Sequence, residues 1–354
     1  MKIRTKDVRN VTAVLDEIIE EYKIETPKKK RDWRTYEQRV AERSRKMFTE
    51  LKPLVSEASR LITIIKKDTR GTKQKLSLEQ KVLILLLKHY LRKSNRIMSA
   101  LLGIFLCLMN IFVSYKTVER LYSDREVILC LHNLHILILK KKGIKYADVT
   151  GDGTGYALII SKHYATEAQK LKDKIKEYSG KKDPDKKRKK GSNKKHKKRQ
   201  FVYSLAIMDI KTRMYLGYGT GFRSENEAFL KALSMTKWTI EEANININSC
   251  RLDKYFSAPA YVKLIQKNLG MEKVYLIPKT NATVKGPWGW KKTLYNFVHN
   301  TKNHLKEYYQ RNQSESGISE DKRRTGWQLG QKRPDRIETA NMLTHLWHNL
   351  SWRF

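Results

Sequence analysis

The sequence predicts an α/β protein: a mixed sheet flanked by helices, preceded by a mostly helical region. Two observations carry this. Residues 1 to about 140 space their apolar positions as helices do, with many charges between them, whereas short β-rich runs take over after residue 140. Three such runs come first, the second and third at hairpin spacing, and helices and strands then alternate.

In the first part, Val11–Tyr22 and Glu37–Ile65 read as charged helices. Ser77 stands before LEQKVLILLLKHYLRK as a helix cap. The most apolar run, Ile97 to Val113, contains Gly103, Cys107 and Asn110. It is slightly short for a membrane span and reads as one or two buried helices. Ser114 to Asp124, SYKTVERLYSD, resembles the start of a helix presenting Lys116, Thr117, Arg120 and Tyr122. Helix, turn, basic helix is the outline of a helix-turn-helix DNA reader, although plain helical packing fits the same text.

After residue 140, Ile144–Ile160 reads as a strand interrupted by Gly-rich text, followed by strands at Phe201–Asp209 and Arg213–Gly219. Ser224–Lys237 reads as a helix, Ile247–Leu252 as a strand ending at Asp253, Pro259–Leu269 as a helix and Val274–Pro278 as a short strand. Two helices close the chain, one around Glu315 and one over Arg336–Leu350. The organisation expected is a helical, DNA-binding region over 1–140 and a catalytic α/β domain over 141–354, with a basic insertion near 165–200. Within that insertion, KKDPDKKRKKGSNKKHKKR carries about a dozen cations and cannot bury itself. Its residues Lys187, Arg188, Lys189, Lys197, Lys198 and Arg199 read as an arm for DNA phosphates, with salt-dependent binding; a solubilising or targeting loop is the plainer reading.

Charge supports the nucleic-acid reading. The formal net charge is +38, from 74 Lys plus Arg against 36 Asp plus Glu, which points to a polyanionic partner. Cys107, Cys130 and Cys250 form no CxxC pair, so neither a zinc site nor a disulfide framework is expected, and a reducing compartment fits. The opening MKIRTKDVRN lacks the apolar core of a signal peptide.

The most informative local text is YYQRNQSESGISEDKRRTGW. Tyr308, Arg311, Glu315 and Lys322 recur at intervals of three, four and seven residues. On one helix, Arg311, Glu315 and Lys322 would project to one side. A carboxylate among cations on one face suits a metal-bound acid beside a phosphate; a solvated helix with i,i+4 ion pairs fits the same spacing. Two-metal phosphodiester chemistry needs carboxylates from adjacent strands and a facing helix, converging on Mg²⁺ ions roughly 3.5–4 Å apart. Asp152 in DGTG at the first strand and Asp253 in LDKYFSA after the fourth supply two, and Glu315 the third. Such close carboxylates raise one another's pKa unless metal or cations such as Arg311, Lys322 and Lys254 offset them.

In this order and these motifs the chain resembles the DDE transposases of prokaryotic insertion sequences, in the group with a Y-R-E-K signature and a ribonuclease H-like catalytic domain. Asp152-Gly-Thr-Gly resembles that family's D-S-T-G, with Gly153 in place of Ser. The segment from Asp253 to Ser257 resembles D-K-x-Y-D-S, one residue shorter. YLIPKTNAT from Tyr275 resembles I-P-x-K-x-N-A-T, and TANMLTHLWHNL the family's last helix. The resemblance covers about residues 76 to 354. It implies that Asp152, Asp253 and Glu315 hold two Mg²⁺ ions, with Mn²⁺ as a substitute, and that Tyr308, Arg311 and Lys322 position phosphates. It implies double-stranded DNA as partner (element ends and target), a homodimer or higher oligomer, no membrane, and a cytoplasmic, nucleoid-associated place in a prokaryote.

Competing assignments follow from position. Asp148 is a rival first acid, four residues before Asp152; Glu320 and Glu338 are rivals for the third. Glu225 and Glu227 read as surface charges. Trp288 and Trp290 read as packing residues before base-stacking ones. The separation of 62 positions from Asp253 to Glu315 (315 minus 253) leaves room for one strand and a connection.

Overall fold

A computed structural model describes residues 3–25, 32–62, 76–104, 113–158 and 201–354. Cys107 and the basic tract, including Lys187, Arg188, Lys189, Lys197, Lys198 and Arg199, lie outside these residues.

The N-terminal region is helical: α1 (Thr5–Ala13), α2 (Leu15–Glu25), α3 (Trp33–Arg60), α4 (Leu78–Tyr90), α5 (Asn95–Ile104), α6 (Tyr115–Arg120) and α7 (Arg125–Lys142). Ser77 caps α4 as its sequence predicts: its hydroxyl accepts from Gln80 N–H, and the Gln80 side chain returns to Ser77 N–H. Gly143 ends α7 at φ +73°, where a side chain would be strained. The presentation expected of Tyr122 is not observed. It lies in a short 3₁₀ turn, Leu121–Ser123, is 1% exposed, and accepts a hydrogen bond from Lys88 Nζ at 2.7 Å. Burying an aromatic body while satisfying its hydroxyl is the favourable arrangement for tyrosine. No described helix is long and apolar enough to cross a membrane.

The sheet follows: β1 (Tyr146–Leu158), β2 (Phe201–Asp209), β3 (Tyr215–Gly221), β4 (Asn246–Leu252), β5 (Lys273–Tyr275) and β6 (Gln328–Leu329). Its order is β3-β2-β1-β4-β5, with β6 pairing the end of β1. The first three strands are antiparallel neighbours; β4 runs parallel to β1, and β5 parallel to β4. The helices are α8 (Glu225–Ala243), α9 (Pro259–Leu269), α10 (Trp288–His299), α11 (Thr301–Tyr308), α12 (Asn312–Thr325) and α13 (Pro334–Trp352). Helix α8 lies close on β3 because Gly217 has no side chain; a Cβ there would meet Ala232 O at 2.7 Å.

Two corrections to the sequence reading concern the segment between Asp253 and Glu315. It holds the additional helices α10 and α11, and Trp290, Leu294 and Phe297 of α10 are buried at helical spacing. The Y-R-E-K stretch is not one helix. Tyr308 ends α11, Arg311 ends a 3₁₀ turn over Tyr309–Arg311, and Glu315 and Lys322 lie on α12.

Helix α13 is buried on nearly every side and joins the sheet to the N-terminal helices. Its polar residues are therefore hydrogen-bonded. Asn349 pairs with the Tyr215 backbone through both amide atoms, at 2.7 and 2.8 Å. Thr339 donates to Tyr122 O, and Trp347 Nε1 to Leu86 O at 3.0 Å.

Candidate active site

Parallel pairing of β1 and β4 sets Gly151 opposite Leu252. Asp152 and Asp253, each the next residue, therefore emerge side by side. Asp253 then caps the 3₁₀ turn Lys254–Phe256, its carboxylate accepting from Lys254 N–H at 2.7 Å. Helix α12 brings Glu315 to the same place. Ser314, beside it, is buried against Thr150 of β1 at 3.3 Å, and Gly317 permits the close approach, since a Cβ there would lie 3.1 Å from Tyr215 Oη.

Arg311 joins the acids. Its guanidinium is 2.8 Å from Glu315 and 4.0 Å from Asp253. The i,i+4 ion pair of the plainer reading is thus present, and it sits at the acid cluster. Tyr308 is buried beneath Arg311, ring centroid to guanidinium 5.4 Å, which fixes the arginine's direction. Arg311 Nε is buried with no hydrogen-bond partner among the described residues. Lys322 completes the set from two turns further along α12, its ammonium 5.6 Å from the Tyr156 ring and 4.6 Å from that of Trp327.

The acids feel one another. Burial pushes the Asp152 carboxyl up to about 6; the negative charges of Glu315 and Asp253 add to this, against Gly153 N–H and the Arg311 charge. Burial lowers the Lys322 pKa, with the Asp152 charge acting in the other direction.

A fourth carboxylate faces this site. Glu225, in the first turn of α8, was expected at the surface with Glu227. Instead a Cβ on Gly153 would collide with its Oε1 and lie 3.2 Å from its Cδ. Burial raises the Glu225 pKa and the Asp253 charge adds to it. Gly153, where the resembled motif has serine, is the sequence signal for this placement. Glu227 turns away, accepting from Phe222 and Arg223 N–H groups.

The rivals are committed elsewhere. Asp148 accepts from Ser249 and Arg251, and Arg251 also pairs with Glu307. Glu338 pairs with Lys231 at 2.7 Å, and Glu320 with Arg324. Trp290 is a core residue donating to Thr283 O, while Trp288 is exposed at the start of α10. Lys116 and Arg120 are exposed on α6, in the helical region rather than at the acid cluster. That helix is tied to α13 through Glu119 and Arg336.

The donor set consists of hard carboxylate oxygens, which suits Mg²⁺ or Mn²⁺. Two observations fit a cation here: an Asp152 whose pKa is raised by burial and then by its acidic neighbours, and the space left by Gly153 for Glu225. Among the described residues, no three His, Cys, Asp or Glu side chains already stand close enough to hold an ion as they are. Arg311 stands between Asp253 and Glu315 and meets the charge of both.

No protein-family profile matches the chain. It is 40% identical over 351 residues, 99% of its own length and 96% of the relative's, to the probable transposase for insertion sequence element ISA1214 of Archaeoglobus fulgidus. With identity of that level across nearly the whole of both chains, the protein belongs to the insertion-sequence transposases.

Proposed function

We propose that the chain is a DDE transposase with a ribonuclease H-like catalytic domain over residues 141–354 and a DNA-binding helical region over 1–140. It cuts DNA at insertion-sequence ends and joins the freed 3′-hydroxyl to target DNA. The observation that carries this is the meeting of Asp152, Asp253 and Glu315 from β1, the end of β4 and α12, with Arg311 between the last two. The sheet order β3-β2-β1-β4-β5 supports the fold assignment, although fold alone would not establish the reaction.

Asp152, Asp253 and Glu315 would hold the metals, with Glu225 beside them. Two bound Mg²⁺ ions, or Mn²⁺ in their place, would supply activation of the attacking oxygen and charge stabilisation of the leaving oxygen. Arg311, held in direction by Tyr308, would offer its guanidinium to a phosphate oxygen. Lys322 adds a cation next to Asp152. In the first step a water oxygen bonds to phosphorus and the 3′-oxygen leaves, giving a 3′-hydroxyl and a 5′-phosphate. In the second, that 3′-oxygen bonds to a target phosphorus and displaces the target's own 3′-oxygen. No protein nucleophile is needed, and buried Tyr308 is not placed as one. Handling two ends together calls for a homodimer or higher oligomer. Lys116 and Arg120, with the basic tract, would contribute phosphate contacts.

The test uses labelled duplexes from the DNA flanking the chain's gene, with Mg²⁺ or Mn²⁺. Wild type is expected to release 3′-hydroxyl ends and form joined products. Cutting without joining assigns a nuclease instead, and binding without cutting a DNA-binding relic. A second expectation concerns Gly153. Its alanine variant should fold, because the clash falls on the far end of a flexible side chain. It should weaken Mn²⁺ binding by about tenfold, as Glu225→Gln should. Titration calorimetry with unchanged affinity in both variants would remove Glu225 from the site.

A further inference from the structure

A cavity of about 660 Å³ opens where the N-terminal helices meet the end of α12 and β6. Its lining includes Lys88, Arg92, Lys93, Asn95 and Trp327, and no Asp or Glu among the described residues. It is therefore cationic without internal neutralisation, and its size suits a small organic ligand. Trp327 is 63% exposed, one side met by the Lys322 ammonium at 4.6 Å. Asn95, in the wall, keeps a buried Oδ1 with no hydrogen-bond partner among the described residues.

The cavity is tied to the acids by the backbone. Trp327 O accepts from Ala157 N–H at 3.2 Å, which anchors the tryptophan at the far end of β1. Asp152 lies five residues back along that strand (157 minus 152), about 16 Å at ~3.3 Å per residue. That distance is about five nucleotides at the ~3.4 Å duplex rise, and fewer on an extended single strand. Lys322, within the electrostatic reach of Asp152, stands between the two. The rim is fixed: Arg92 donates to the last carbonyls of α12, Arg323 O and Arg324 O, and Gly326 turns the chain at φ +94°.

We propose that this cavity receives an unpaired nucleotide of the DNA strand held at the acids, its base against Trp327 and its phosphate beside Lys93. The assignment of the strand rests on the transposase reading above. An aromatic face accepts any base, and the surrounding cations take the phosphate.

The test compares wild type, Trp327→Ala, Trp327→Phe and Lys93→Ala on a fluorescent duplex with a short single-stranded gap and on the same duplex fully paired. Trp327 and Lys93 are exposed, so these variants spare the core. Trp327→Ala should weaken gapped-DNA binding by roughly 5- to 150-fold, the equivalent of one stacked base, and paired-DNA binding by less than about twofold. Trp327→Phe should retain most of the affinity, and Lys93→Ala should flatten the salt dependence. Unchanged gapped-DNA binding in Trp327→Ala, or an equal loss on both DNAs, overturns the proposal. Wild type that cuts and joins DNA while showing no such selectivity sinks the cavity alone. Selectivity in a protein that never cuts sinks the reaction reading alone, and wild type that binds neither DNA sinks both.

Discussion

Glu315→Ala is expected to reduce strand cleavage and joining by about 10³-fold or more, while binding to the same DNA changes little. Losing a carboxylate that holds catalytic metal removes several kcal/mol of transition-state stabilisation, and about 4 kcal/mol corresponds to that factor. Glu315 is about half exposed and pairs with Arg311 at 2.8 Å, so its removal disturbs chemistry rather than packing. Asp152→Asn should behave alike. Glu338→Ala and Glu320→Ala are the controls, since their carboxylates are committed to Lys231 and Arg324. A loss in Glu338→Ala with activity kept in Glu315→Ala would overturn the assignment of the third acid. The same site carries a pH signature. Asp152, with its pKa raised to about 6 by burial and neighbouring acids, is mostly protonated below that pH. At limiting metal, activity should climb as pH rises through about 6, and metal uptake there should release a proton.

The elements that sequence made legible are those whose signal is local. Pro259–Leu269 and Phe201–Asp209 have the boundaries their pattern suggests, and Ser77 caps the helix it precedes. The meeting of Asp152 with Asp253 was legible only through strand order, because parallel pairing sets residues a hundred positions apart side by side. Glu225 was not legible. Its neighbours in sequence, Ser224 and Glu227, are cap residues, and only the missing Cβ at Gly153, 72 positions earlier (225 minus 153), makes room for it. Helices α10 and α11 escaped for another reason. Weight on the spacing of motifs left their interval to a connection, although Trp290, Leu294 and Phe297 repeat at helical spacing. The break at Tyr309–Arg311 leaves Arg311 directed at two acids from different elements, a placement that residue spacing does not encode.

Asp321→Ala is expected to destabilise the protein by about 3–5 kcal/mol, the cost of leaving buried cationic and polar partners without their anion. Asp321 is fully buried at the junction of α12, α13 and β3. It accepts from Tyr215 Oη at 2.8 Å and Arg324 Nη1 at 3.1 Å, and pairs with His348 Nδ1 at 2.7 Å. Burial by itself would raise its pKa; the charge and hydrogen bond of His348 and the charge of Arg324 outweigh it and hold the carboxyl below its ordinary 3.8. A depressed carboxylate contributes stability that is present above the unfolded value and is lost as pH falls through the folded one. Urea denaturation should therefore show the full gap between wild type and Asp321→Ala near neutral pH, narrowing in acid below about pH 4. A gap that stays constant into acid would mean the loss is one of packing rather than charge. Because Asp321 immediately precedes Lys322 and anchors the helix that carries Glu315, the variant should also lose cleavage at temperatures where it remains folded. Asp321→Asn, which keeps the shape but not the charge, should recover part of the stability and serve to separate the two effects.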